Sequence, residues 1–168
     1  RLISEGINLN WSLPSGTRSE VLDQETLSLL KKTGCNYLVY APESGSSVTL
    51  KNVKKRIKLK NLTKSILTAK RVGIIVRANL ILGFPGETRW NVFQTMTYGF
   101  KLLVRGVDEV STNLFSPYPG SELFDELYAQ DKCSLSDQYF LSLTSLNSDL
   151  TKINPMTINE NMGARELA

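Results

Sequence analysis

A carboxylate followed at once by small hydroxylated residues is well suited to hold a polar ligand. The chain has one in "APESGSS", residues 41–47, where Glu43 comes at the end of the apolar run "YLVYAP". A carboxylate there accepts hydrogen bonds from ligand hydroxyl or ammonium groups, and Ser44, Gly45 and Ser46 offer hydroxyls and main-chain N–H groups. The competing role is structural: Ser46 or Ser47 caps the next helix and Glu43 pairs with a neighbouring arginine. Arg18, in "SLPSGTR" (12–18), is the candidate for that partner, or for a second ligand contact. A second turn, "GFPGET" (83–88), puts Gly83, Pro85 and Gly86 at the tip of another apolar run. Glycine lets a ligand approach the main chain because no Cβ intervenes, and proline fixes φ and removes one donor. The same residues also suit an ordinary strand-to-helix turn, with Glu87 and Thr88 at the helix start. In the third turn, "SPYPGSE" (116–122), Pro119-Gly120 is a turn dipeptide and Ser121 a candidate N-cap.

Other chemistries are excluded by composition. The chain has 168 residues, two cysteines (Cys35 and Cys133) and no histidine. Two distant cysteines without histidine cannot make a four-ligand zinc or iron–sulfur site, and a Ser-His-Asp or Cys-His arrangement is impossible. Cys35 starts an apolar strand, so a buried thiol and a reducing compartment, the cytoplasm, are expected. Hydrophobic content of 41% and charged content of 21% are those of a soluble globular protein. No apolar run reaches the ~20 residues of a membrane span, and Arg1-Leu2-Ile3 is followed by Ser4 and Glu5 without a signal-peptide pattern. The net charge of +4 is concentrated in "LKNVKKRIKLKNLTK" (50–64). That run reads as a solvated helical face, and it lacks the interleaved aromatics of a nucleic-acid surface.

The elements that must position these turns recur on one plan. "LLKKTGCNYLVYAPESGS" (29–46), "TAKRVGIIVRANLILGFPGE" (68–87) and "LLVRGVDEVSTNLFSPYPGSE" (102–122) each end a helix with basic residues, pass a glycine, enter an apolar strand and finish in a Pro/Gly/Ser turn. The pattern predicts alternating helices and parallel strands. Strands are expected at 6–13, 36–41, 74–82 and 108–115. Helices are expected at 24–33 (capped by Asp23), 46–57, 62–72 (capped by Asn61), 88–104 and 121–130. In the first strand Ile7, Leu9, Trp11 and Leu13 alternate, whereas "YLVYAP" and "ANLILGF" read as nearly continuous apolar runs, as if covered on both faces. Residues 1–133 form the α/β part, and 134–168 an extension that is irregular or partly disordered, ending in the opening of a helix at "MGARELA". In such sheets ligands lie outside the carboxyl ends of the strands, where these turns converge.

Together the ESGS turn, the Lys-rich helix, the GFPGET turn and the PYPGSELF turn resemble the catalytic domain of radical S-adenosylmethionine enzymes. Within that family they are most similar to the branch carrying a cobalamin-binding domain. The likeness runs over about residues 7–133, and more faintly over "NPMTINENMGARELA". It implies an incomplete, TIM-like (β/α) barrel of about four parallel strands. It also implies S-adenosylmethionine as ligand, a [4Fe–4S] cluster that cleaves it to a 5′-deoxyadenosyl radical, and cobalamin in a separate domain. Residue by residue, Glu43 and Ser44, with Gly45 and Ser46 beside them, map to the methionyl or ribose part. Gly83, Pro85 and Gly86 map to the adenine region, and Arg18 to the methionine carboxylate or substrate. The family's Cys-x3-Cys-x2-Cys loop has no counterpart here, and the strand at 6–13 matches the third barrel strand. The chain is therefore expected to be the C-terminal part of a catalytic barrel, inactive alone, with the N-terminal part of the same protein and a small-molecule substrate as partners. A non-catalytic nucleoside-binding or interaction module is the alternative. A phosphate-binding α/β enzyme is disfavoured, since neither a Walker A sequence nor G-x-G-x-x-G is present.

Overall fold

The computed structural model describes residues 3–15, 22–137, 139–140 and 158–167. In chain order the elements are β1 (Trp11–Leu13), α1 (Gln24–Lys32), β2 (Cys35–Glu43), α2 (Ser47–Asn52), α3 (Leu59–Arg71), β3 (Ile75–Leu82), α4 (Arg89–Val104), β4 (Glu109–Leu114), α5 (Glu122–Ala129) and α6 (Ala164–Leu167). The strands form one parallel sheet in the order β1-β2-β3-β4. An unreversed order with helical crossovers has no topological switch point, so the sheet is wound as a barrel wall is.

Side-chain alternation decides what each face meets. Leu38 and Tyr40 of β2 and Val76 and Ala78 of β3 join Leu27, Leu62, Ile66, Ala69 and Leu102 of α1, α3 and α4 in the main core. Tyr40 is fully buried there with its hydroxyl 3.0 Å from Ser65 Oγ, and burial pushes its phenol up to about 12. The opposite face is mixed, with polar groups beside Val39, which is buried, and Ile75, which is exposed. Arg77 pairs with Glu109 at 3.3 Å and donates to Asn79 at 3.0 Å, and the Tyr37 hydroxyl donates to Glu109 at 3.3 Å. The expectation of strands covered by apolar contacts on both faces holds only in part: Val39 is buried on this face, but Arg77, Asn79 and Glu109 put charged and amide groups there.

Local signals explain most boundaries. Asp23, Ser46, Thr88 and Ser121 cap α1, α2, α4 and α5 through their side chains, each satisfying an N–H that the helix cannot. Gly34, Gly73 and Gly106 follow the C-caps with φ of 90, 84 and 88°. Three expectations fail. The first strand pairs only over Trp11–Leu13, with a register shift after Trp11, and Ile7 and Leu9 are exposed. The helix expected to reach residue 57 stops at Asn52, and Lys54 adopts φ 56°. Lys58, not Asn61, precedes α3, without a side-chain cap, because α3 begins where Leu62 and Ile66 must reach the core. Among the described residues no helix is long and apolar enough to cross a membrane. Most of the expected irregular extension lies outside the described residues, but 158–167 pack on the end of the sheet: Met162 and Leu167 contact Leu82, Val92 and Leu114.

Candidate functional site

Two turns meet at the carboxyl ends of the strands, beside a cavity of about 540 Å³. Its walls include Glu43, Asn79 and Asn113 from the sheet and Phe84, Phe115 and Tyr118 from the turns. The Phe84 and Phe115 rings lie 4.9 Å apart, tilted by 37°. Polar groups on one side and aromatic faces on the other are the usual composition of a small-molecule site, and the volume lies within the usual ~300–1,000 Å³. A second cleft, of about 610 Å³, is lined mainly by Lys51, Lys54, Lys55, Arg56 and Lys58. It belongs to the basic run and holds none of Glu43, Ser44, Gly45, Ser46, Gly83, Pro85 or Gly86.

Glu43 is the last residue of β2 and takes φ 65°, a left-handed conformation unfavourable for a side chain with a Cβ. Its carboxylate is partly buried and pairs with Lys55, so its partner is a lysine from the basic run. Arg18 lies outside the described residues.

Ser44, Gly45 and Ser46 turn away from the cavity and bind α4. Ser44 and Ser46 are fully buried. Ser44 Oγ lies 2.8 Å from Thr95 Oγ1, which also accepts from the Gly45 N–H at 3.1 Å. Ser46 Oγ accepts from Asn91 Nδ2 at 3.0 Å and from the Thr49 N–H at 3.4 Å. A Cβ on Gly45 would lie 2.5 Å from Tyr98 Cβ and 2.7 Å from the Gln94 carbonyl oxygen. Glycine is therefore required there for close packing on α4.

The GFPGET turn is tied from within. Glu87 is 2% exposed, and its carboxylate accepts from the Gly83 N–H at 2.7 Å, the Phe84 N–H at 3.3 Å and the Thr49 hydroxyl at 3.1 Å. Burial pushes the Glu87 carboxyl above its usual range, against those three hydrogen bonds, which favour the ionised form. Gly83 and Gly86 have φ of 83 and 71°, and a Cβ on Gly86 would meet nothing within 4 Å. The backbone at Gly86 is thus open to close approach, whereas the Gly83 N–H is already committed. Thr88 and Asn91 form a reciprocal capping box that starts α4 from the same turn.

Several contributors escaped the sequence reading. Asn79 and Asn113 face the cavity, and the only sequence signal for them is a polar residue alternating with apolar ones on a strand. Thr49, Asn91 and Thr95 hold the turns together across long sequence separations, and no local pattern marks them. No group of three or more Cys, His, Asp or Glu able to hold a metal occurs among the described residues. Cys35 and Cys133 are both free and buried, with burial raising both thiols. Buried neutral thiols on separate elements do not fit an iron–sulfur cluster, which needs thiolates converging on one point.

Comparison with known proteins gives the setting of this geometry. The chain is 28% identical over 131 residues to an uncharacterized methyltransferase of Pyrococcus horikoshii, which covers 78% of this chain and 28% of that protein. It is 30% identical over 131 residues to the cytidylyl-2-hydroxyethylphosphonate methyltransferase of Streptomyces wedmorensis, covering 74% and 24%. The chain therefore spans about a quarter of the length of these relatives. A radical S-adenosylmethionine methyltransferase of Kitasatospora setae, solved with cobalamin and a [4Fe-4S] cluster bound, superposes with a TM-score of 0.58 at 16% identity, over 67% of this chain and 22% of that one; at that identity the likeness shows the fold. The model of the Radical SAM superfamily matches residues 4–98, more than half of the chain, and the protein belongs to that superfamily.

Proposed function

We propose that this chain supplies the S-adenosylmethionine side of a radical enzyme that acts on a small molecule, with methyl transfer the favoured outcome. The observation that carries the reading is the cavity at the strand ends, bounded by Glu43 and the amides of Asn79 and Asn113 on one side and by Phe84 and Phe115 on the other. Glu43 accepts from the ribose hydroxyls or the methionyl ammonium. The Gly86 backbone and the Phe84 ring flank the adenine. Ser44, Gly45 and Ser46 fix the Glu43 turn on α4 instead of reaching the ligand themselves. Arg18 is assigned to the methionine carboxylate from the family likeness alone.

A bound [4Fe–4S] cluster would supply the electron that cleaves the sulfonium. The residues described here do not fit that cluster, so its cysteines are assigned to another part of the protein, as is the cobalamin domain suggested by the motif likeness. The two free, buried thiols suit the reducing cytoplasm. The same poverty of thiolates favours one other reading, a non-catalytic nucleoside-binding module.

Calorimetry on the full-length protein, prepared anaerobically, separates the two when it is paired with an assay for 5′-deoxyadenosine. Binding together with reductant-dependent formation of 5′-deoxyadenosine supports the enzyme. Binding without it supports the module, and no binding overturns both.

A further inference from the structure

The GFPGET turn is held from outside as well as from within. Asn159 Nδ2 donates to the Phe84 carbonyl at 2.7 Å and to the Glu87 carbonyl at 2.9 Å, and Asn161 Nδ2 donates to the Glu87 carbonyl at 3.2 Å. Asn159 is 7% exposed, and its own oxygen accepts from the Asn161 N–H at 2.8 Å. Both hydrogens and the oxygen of the Asn159 amide are therefore engaged. Glu87 precedes the N-cap Thr88, so its carbonyl has no place in the ladder of α4. Phe84 is hydrogen-bonded through both its N–H and its carbonyl: its N–H donates to the Glu87 carboxylate, while its carbonyl accepts from Asn159 and from the Glu87 N–H at 3.0 Å. The segment is anchored further by Met162 and Leu167 against Leu82, Val92 and Leu114, and by the Arg89–Glu166 ion pair.

We infer that residues 158–167 form a latch on the ligand-side turn, with Asn159 as the positioning residue that sets the Phe84 wall of the cavity. The inference rests on the S-adenosylmethionine reading for its functional consequence, not for its structural one. An amide is required at position 159 because two carbonyl oxygens converge on it. A carboxylate of the same shape has no hydrogen to donate and would add charge beside the buried Glu87.

The test uses Asn159→Asp and Asn159→Ala in the full-length protein, with amide hydrogen exchange followed peptide by peptide and calorimetry with S-adenosylmethionine. Exchange over residues 84–88 should accelerate by about tenfold, the loss expected for one or two net hydrogen bonds, while peptides of β2 and β3 stay unchanged. Affinity should fall by a similar factor, more for the Asp variant than for Ala. Unchanged exchange in residues 84–88 overturns the latch, and so does acceleration spread evenly through the sheet, which marks a merely structural role. If the wild-type protein does not bind S-adenosylmethionine, the functional reading fails, and the exchange data alone decide the latch.

Discussion

Glu43 pairs an awkward backbone with a useful side chain. A left-handed φ costs a residue with a Cβ about 1–2 kcal/mol, and such strain persists where the surroundings enforce it, often at ligand sites. Glu43→Gly removes that strain, but it frees the unfolded chain by ~0.5–1 kcal/mol and loses a partly buried ion pair worth ~0–1 kcal/mol. These effects nearly cancel, so unfolding of the Gly variant should stay within about 1 kcal/mol of wild type. S-adenosylmethionine binding should weaken by about 1–3 kcal/mol, the cost of losing a hydrogen bond to a charged group; equal affinity in calorimetry would remove Glu43 from the site. Glu87 gives a pH signature. Its folded value lies above the unfolded 4.5, so its contribution to stability is fully present below that value and is lost as pH rises through the folded one. Glu87→Gln cannot titrate. Urea unfolding of both proteins from pH 4 upward should therefore show wild type losing ground to the variant as pH increases, and parallel curves would refute it. The Glu43 turn was legible because a carboxylate follows an apolar run directly. Ser46 was legible as a helix cap, but the bonds of Ser44 to Thr95 and of Ser46 to Asn91 were not, because only α4 reveals them.

At the level of elements, the sequence announced what is decided locally. Basic last turns followed by glycine marked three helix ends, and Asp23, Thr88 and Ser121 marked three starts, because a cap needs only neighbours within a few residues. Position 58 shows the limit: Lys58 stands before α3 although Asn61 is the better cap, since the apolar stripe of Leu62, Ile66 and Ala69 has to face the sheet. β1 shows another limit. Alternation over residues 7–13 promised a long strand, but pairing depends on β2 and on how closely the chain passes Gly34. There the space is tight, because a Cβ on Gly34 would lie 1.6 Å from the Leu9 carbonyl oxygen, whereas one on Gly106 would meet nothing within 4 Å. Both glycines have positive φ. Gly106→Ala should thus cost only the conformational ~1–2 kcal/mol. Gly34→Ala should cost a further 1–3 kcal/mol or so from overpacking and loosen β1. Thermal unfolding of the pair measures the difference, and equal losses would mean that Leu9 moves aside freely.

Taken alone, the molecule leaves much surface without cover. Among the described residues β1 and β4 each have a neighbour on one side only, and unpaired strand edges invite addition of another chain. The open face adds less to this liability, because Arg77, Asn79 and Glu109 make part of it polar, although Ile75 is exposed there. The most exposed apolar residues of α4 lie on its outside, where Trp90, Phe93, Phe100 and Val104 recur at helical spacing with exposures of 64, 58, 66 and 71%. Trp90 and Phe93 stack with centroids 5.3 Å apart, which covers each ring only in part. Fully burying one such side chain is worth about 1.5–3 kcal/mol, so a contact covering several of them rivals the ~5–15 kcal/mol net stability of a domain. Residues 1–168 produced alone should therefore associate in a concentration-dependent way that added salt does not suppress, since the attraction is apolar. Sedimentation of the wild-type chain beside a Phe93→Lys, Phe100→Lys variant is the measurement. The variant should shift towards monomer, because both substitutions are on exposed positions and leave the core intact. If association persists unchanged, the strand edges rather than α4 drive it. A monodisperse wild-type monomer that unfolds in one steep transition, with stability above about 5 kcal/mol, would show that neither surface needs a partner.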